Sequence, residues 1–333
     1  MITVGNQEVY QKITDRMIAA LEKGTVPWQK SWTVAGGGRP RSMSTRAPYR
    51  GINVLLLAVD AMDKGYRSPW WGTYHQIAQL SGMERREGRR GGQFWASPDG
   101  SPRGVRKGEH GSQIVLWKTV PKTETDPDTG EKTTRQILLA RLFTVFNAEQ
   151  AHGLPETFLT RTGQPVDEIR EPQQVLDNYL RHGGPRFRHV AGNHACYSAV
   201  NDMITLPERG QFRSPEAYYG TAFHEAGHST GHARRLARES LTNFSHDRKW
   251  GDELYAKEEL AAEMTSAMLQ AETGIDGQFG QSSAYIADWL TALKKDPNLV
   301  PHAAAQAQRA CDLITEPQRQ ATAGPQEEME AAA

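Results

Sequence analysis

Val9, Ile13, Met17, Ile18 and Leu21 recur at helical spacing and are followed by Gly24, which predicts an amphipathic first helix. The longest apolar stretch, residues 52–62, is helix-sized and predicts a second helix at about 51–64; a third is expected over 73–81. Residues 114–120 and 136–146 alternate apolar and polar, as half-buried strands do, and Asp126-Pro127-Asp128-Thr129-Gly130 supplies the turn of a hairpin between them. Residues 85–92 are basic and glycine-rich, which predicts a mobile loop able to meet phosphates.

Further along, Val175, Leu176, Tyr179 and Leu180 mark the inward side of a helix over 172–183. Residues 195–206 read as strand, turn and strand. Ser214-Pro215-Glu216 reads as N-cap, N1 proline and first-turn acid, and Gly231 as a stop, so a helix is expected over 215–231. Leu260, Met264, Ala267 and Met268 then repeat at helical spacing between Asp252, a fair N-cap, and Gly274, a fair C′ residue. The expected class is α+β. Residues 1–146 form a mixed helix and strand domain, 147–172 a connector, 173–314 a mainly helical domain with a small sheet, and 315–333 a Pro/Gln/Ala/Glu tail too polar to build a core.

Charge sharpens this division. The 333 residues carry 39 basic and 39 acidic side chains, yet residues 1–146 hold 22 Lys+Arg against 13 Asp+Glu (+9), leaving 17 against 26 (−9) for the remainder. Six of the eight tryptophans fall in the basic half: Trp28, Trp32, Trp70, Trp71, Trp95 and Trp117. Rings interleaved with cations suit unpaired nucleic acid, whose bases stack and whose phosphates pair with Lys or Arg. Arg50, Trp70, Trp71, Tyr74, Arg106 and Lys107 are the candidates for that contact. For each single tryptophan, however, a core role outweighs a stacking role. No run of 18 apolar residues and no signal-peptide profile occur, so no membrane segment is expected. Cys196 and Cys311 lie outside any C-x-x-C pattern; free thiols in a reducing cytoplasm fit best.

The acidic half contains His224-Glu225-Ala226-Gly227-His228, an H-E-x-x-H sequence. Residues four apart share a helix face, so His224 and His228 can hold one Zn²⁺ while Glu225 stands beside it as a base toward bound water. Another divalent ion such as Mn²⁺ also suits these donors. A catalytic zinc takes a third protein ligand. The metzincin extension fails because its last position is Arg234; His232 follows the helix stop and fits capping better. Glu259 and Glu263, four apart on the next predicted helix, are the better pair: like carboxylates at that spacing repel unless a cation or proton lies between them. The spacing resembles that of gluzincins such as thermolysin, where a downstream helix gives a ligand Glu and, four residues on, an acid that orients a ligand histidine. Glu259 is read as the ligand and Glu263 as the orienting acid, the reverse assignment staying open.

A wider resemblance joins the two halves. Thr25-Val26-Pro27-Trp28, Tyr49-Arg50-Gly51-Ile52-Asn53, Trp71-Gly72-Thr73-Tyr74, Val105-Arg106-Lys107-Gly108-Glu109 and Phe143-Thr144-Val145-Phe146-Asn147 stand in an order similar to the N-terminal domain of ArdC antirestriction proteins. Ala195-Cys196-Tyr197, Asp202-Met203-Ile204, the H-E-x-x-H motif and Glu258-Glu259-Leu260 resemble that family's zincin-like metallopeptidase domain. The resemblance implies a plasmid- or phage-associated bacterial protein that coats incoming single-stranded DNA and counters host restriction. A related module occurs in plasmid primases, although these residues are not expected to include a primase domain. Three functions stay open: a DNA-coating antirestriction factor with a zinc-hydrolase domain, a DNA-guided protease that cuts a partner such as a restriction enzyme, and a non-catalytic metal-stabilised scaffold.

Overall fold

Side chains spaced for one helix face bury the inner side of α1 (Val4–Glu22), on which Val9, Ile13, Met17 and Leu21 are buried. The computed structural model describes residues 4–24, 26, 39–88, 92–125, 132–159, 171–242, 253–275 and 283–317. Trp28, Trp32, the turn 126–130, residues 160–170 of the connector, Asp252 and residues 318–333 of the tail lie outside the described residues.

The first half continues with β1 (Arg41–Ser42), α2 (Ile52–Lys64), β2 (Trp70–Gly72), α3 (Tyr74–Leu80), β3 (Glu84–Glu87), β4 (Gln93–Ala96), β5 (Gly104–Val105), β6 (Ser112–Thr125) and β7 (Lys132–Asn147). β1, β2, β7 and β6 form one sheet in that order, parallel only between β1 and β2. The long β6–β7 ladder runs from Ser112↔Val145 to Thr125↔Lys132, beyond the apolar alternation that marks it in sequence. Thr73 starts α3 with a reciprocal capping box to Gln76. α2 ends where Gly65, at φ 71°, adopts the left-handed conformation that closes a helix.

One expectation is corrected. Residues 84–87 are a strand paired antiparallel with residues 93–96, and Gly88 N–H donates to Gly92 O at 2.6 Å. The stretch Glu84-Arg85-Arg86-Glu87 lacks alternating hydrophobicity because both of its faces are exposed, so it carries no strand signal of its own.

After β8 (Ala151–His152) and α4 (Glu156–Leu159), the chain forms α5 (Pro172–Arg181), β9 (Arg186–Val190), β10 (Cys196–Ser198), β11 (Met203–Pro207), α6 (Pro215–Thr230), α7 (Glu239–Thr242), α8 (Glu253–Glu272), α9 (Ser283–Lys295) and α10 (Leu299–Thr315). The second sheet is ordered β10-β11-β9, which leaves β10 at an edge beside α6. The principal hydrophobic cluster runs through both halves, joining α1, α2 and the β6–β7 ladder to α5, α6, α8 and α10. Helix α10, unmarked in the pattern analysis, packs on α8, α5, α6, α1 and α2. Polar ties cross the same seam: Thr14 Oγ1 donates to Pro297 O at 2.7 Å, and Gly51 N–H to Gln308 Oε1 at 2.9 Å.

Candidate metal centre

Helix α6 begins as its sequence dictates: Ser214 Oγ accepts from Ala217 N–H at 3.3 Å, and Pro215 occupies the first turn. Its fourth turn packs against α8 at close range. A Cβ on Gly227 would stand 3.2 Å from Ala262 Cα, Ala262 O and Thr265 Cβ, so the glycine inside the motif is what lets the two backbones approach. That approach sets the histidines of α6 over the carboxylates of α8.

Three donor groups converge. His224 Nε2 and His228 Nε2 are 3.1 Å apart, Glu259 Oε2 is 3.7 Å from the first, and Glu259 Oε1 is 3.4 Å from the second. One ligand atom from each residue lies within 4.8 Å of the others; this is the one such group among the described residues. Donors about 2.0–2.1 Å from a shared tetrahedral ion stand about 3.3 Å apart, so the spacing suits a small divalent cation.

Each imidazole turns its other nitrogen to a carboxylate. His224 Nδ1 lies 3.7 Å from Glu263 Oε1, and His228 Nδ1 lies 3.1 Å from Glu258 Oε1. Sequence reasoning had assigned such a role to Glu263 and had missed Glu258. Nothing local marks Glu258, because three glutamates crowd one turn and a half of α8 and only the approach of α6 selects among them. Glu258 is itself held: Arg238 Nε donates to its Oε2 at 2.9 Å, Arg238 Nη2 to its Oε1, and Ser240 Oγ to its Oε2 at 2.5 Å. The same guanidinium donates to Gly227 O at 2.8 Å and to Thr230 Oγ1 at 2.6 Å, closing the C-terminal end of α6. It fits there because Gly231 has no Cβ; one would lie 2.8 Å from the guanidinium carbon.

Electrostatics follow from burial and pairing. Burial and the neighbouring His228 push His224 below the usual histidine range. Burial also opposes charge on His228, but hydrogen bonds to Glu258 and Glu259 outweigh it and raise this imidazole well above that range. Burial would raise Glu258, yet Arg238 and His228 hold its carboxyl well below the carboxylate range. Glu259 is lowered in the same way, chiefly through His228. Glu225 is buried on α6, and the thiol of Cys196, on the β10 edge, is pushed up by burial and by the charge of Glu225. His232 stays outside the cluster; its Nδ1 accepts from Arg234 N–H at 3.2 Å in the turn after α6.

The family described as a zincin-like metallopeptidase matches residues 174–306, and the N-terminal domain of anti-restriction factor ArdC matches residues 7–146. The metal-free crystal structure of the antirestriction ArdC protein from the R388 plasmid is 38% identical, with a TM-score of 0.69 over 92% of this chain and 96% of that one. The chain belongs to the ArdC family. The Mn(II)-bound R388 ArdC structure is similar too, at 35% identity and a TM-score of 0.67, covering 97% of this chain and 98% of that one. Protein y4eC of Sinorhizobium fredii is 31% identical over 315 residues, 92% of this chain and 91% of that protein. A DNA primase TraC of Escherichia coli is 37% identical over 320 residues; the match covers 92% of this chain and 27% of the primase. The chain thus spans about a quarter of that relative's length. The zincin-like family of the second half implies zinc, and the Mn(II)-bound ArdC structure supports another divalent metal as an alternative.

The residues singled out for nucleic acid are scattered, and two are corrected. Trp70 and Trp71 are 6% and 1% exposed, and neither ring offers a face to a base. They are adjacent on β2, inside the sheet, so their side chains point to opposite faces and each fills a different core. Trp70 meets Phe158 edge-on at 5.4 Å, and Trp71 meets Tyr66 at 5.8 Å. Arg50 pairs with Asp312 on α10, and Arg106 pairs with Glu109 and donates to Glu149 O at 2.6 Å. Lys107 and Tyr74 are exposed. Among the described residues, no helix is long and apolar enough to cross a membrane.

Proposed function

We propose that this chain is a single-stranded-DNA-binding antirestriction protein whose second half binds one divalent cation, zinc by donor chemistry, and acts as a metallopeptidase-like hydrolase. The observation that carries this reading is the convergence of His224, His228 and Glu259 beside the buried Glu225, in a chain whose first half is of the ArdC type. DNA recognition is assigned to residues 1–146 and the metal to residues 173–314, with 147–172 as connector and 315–333 as tail. This is a division of labour within a molecule whose core is shared.

His224, His228 and Glu259 would hold the ion, with Glu258 and Glu263 orienting the two imidazoles. When bound, the metal supplies Lewis acidity toward a carbonyl and toward water. Glu225 is the base that accepts the proton of the attacking water. The edge strand β10, beside α6, presents backbone groups to which an extended peptide can add as a further strand, which favours a protein substrate such as a host restriction enzyme. The two free cysteines, Cys196 and Cys311, suit a bacterial cytoplasm.

Two measurements test the reading. Elemental analysis of wild type, Glu259→Ala and Glu225→Gln is expected to give one metal per chain for wild type and Glu225→Gln and none for Glu259→Ala. Metal retained in full by Glu259→Ala refutes the ligand set. Glu225→Gln is expected to abolish any peptide hydrolysis while leaving single-strand affinity as in wild type; hydrolysis surviving in that variant moves the base elsewhere.

A further inference from the structure

Trp95 differs from the other described tryptophans of the basic half. Trp70, Trp71 and Trp117 all belong to or pack against hydrophobic clusters, whereas Trp95 belongs to none. It lies on β4 of the two-stranded β3–β4 hairpin, which joins no other strand among the described residues. Its indole Nε1–H donates to His75 Nδ1 at 2.8 Å, and the two rings stand 6.2 Å apart at 46°. His75 in turn meets the ring of Tyr74 at 5.9 Å, and Tyr74 is 43% exposed. The Arg85 guanidinium lies 5.4 Å from the Trp95 ring centroid and donates from Nη1 to Gln93 Oε1 at 3.1 Å. Arg85 and Trp95 are cross-strand partners and so share one face of the hairpin; Arg86 and Phe94 are the partners on the opposite face.

The geometry points to this row, Tyr74–His75–Trp95–Arg85, as the surface on which unpaired bases of a nucleic-acid strand stack. The inference rests on the single-strand reading above and says where in the fold that contact is made. Rings held in contact with one another and with a guanidinium, yet outside the core, keep faces that a base can cover. Because the indole N–H fills His75 Nδ1, the imidazole proton sits on Nε2, which makes that nitrogen a donor for a phosphate or base oxygen. Every base has a π-face, so stacking on these rings is tolerant of sequence.

Fluorescence anisotropy of the full chain with labelled oligo(dT) and a matched duplex tests the assignment. Trp95→Ala is expected to weaken single-strand binding roughly 5- to 150-fold, the range for loss of one stacked base. Trp95→Phe should recover most of that loss, Phe94→Ala should change affinity less than twofold, and Arg85→Ala should lower the salt slope by about one. Tryptophan quenching by oligo(dT) gives a second readout: part of the wild-type quenching should vanish in Trp95→Phe although binding persists. Wild-type affinity in Trp95→Ala, or undiminished quenching in Trp95→Phe, overturns the platform while leaving single-strand binding intact. Failure of wild type to bind oligo(dT) overturns the single-strand reading itself.

Discussion

The seam between α6 and α8 and the hairpin of β3 and β4 use the same residue types to opposite ends. In the seam, Arg238 and Glu258 are both buried and bonded to each other, and each also bonds to groups that support the histidines. In the hairpin, Arg86 and Glu84 face each other at 3.8 Å with both side chains about half in water. A metal site needs ligand atoms held within tenths of an ångström, which only a packed and fully bonded surround provides. A stacking surface needs reachable ring faces, and tolerates a marginal two-stranded support. Phe94, at 51% exposure, and the buried Trp71 show how the same class of side chain is used differently on the two kinds of strand.

The contrast is open to direct attack. Arg238→Met leaves the Glu258 carboxylate buried without its principal partner and is expected to cost about 3–5 kcal/mol of stability by urea denaturation; a loss below about 1 kcal/mol would break the contrast at its strongest point. Next in size is Glu258→Gln, for which a 10- to 100-fold drop in metal affinity by competitive chelator titration is expected, with oligo(dT) affinity unchanged. An unaltered metal affinity would reduce Glu258 to a structural partner of Arg238.

Asp202 gives a test in pH. Burial would raise its carboxyl, but hydrogen bonds from Arg235 and Tyr197 outweigh burial and hold it below the usual carboxylate range. A depressed carboxyl contributes stability above its unfolded pKa, about 3.9, and loses it as pH falls through the lower folded value. Melting temperatures of wild type should therefore fall in that acid window, and Asp202→Asn should lack this part of the slope while being less stable at neutral pH. The smallest effect is expected for Glu84→Gln: an exposed pair is worth about 0–1 kcal/mol, so its urea midpoint should scarcely move.

Much of the site was legible because its signals are local. Ser214, Pro215 and Gly231 bracket α6, and the four-residue spacings of His224 with His228 and of Glu259 with Glu263 place each pair on one helix face. The β6–β7 ladder and α1, α2 and α5 were visible in periodicity for the same reason. The strand β3 was hidden because both its faces are wet, and Trp70 and Trp71 could stand as stacking candidates beside the favoured core role because a tryptophan among arginines has the same composition whether its ring faces water or a core. Arg50 looked available for phosphate, yet it meets Asp312 at 262 positions' distance along the chain.

The sequence alone was sufficient for the metal-binding motif, the α+β class and the uneven charge of the two halves, since each depends on residues near one another or on simple counting. Folding decided which carboxylate lies beside which histidine, which rings remain in water, and that both halves share one core through α10. These depend on how closely separate elements approach. That distance is set by side chains such as the missing Cβ of Gly227, which acts only once α8 lies against it.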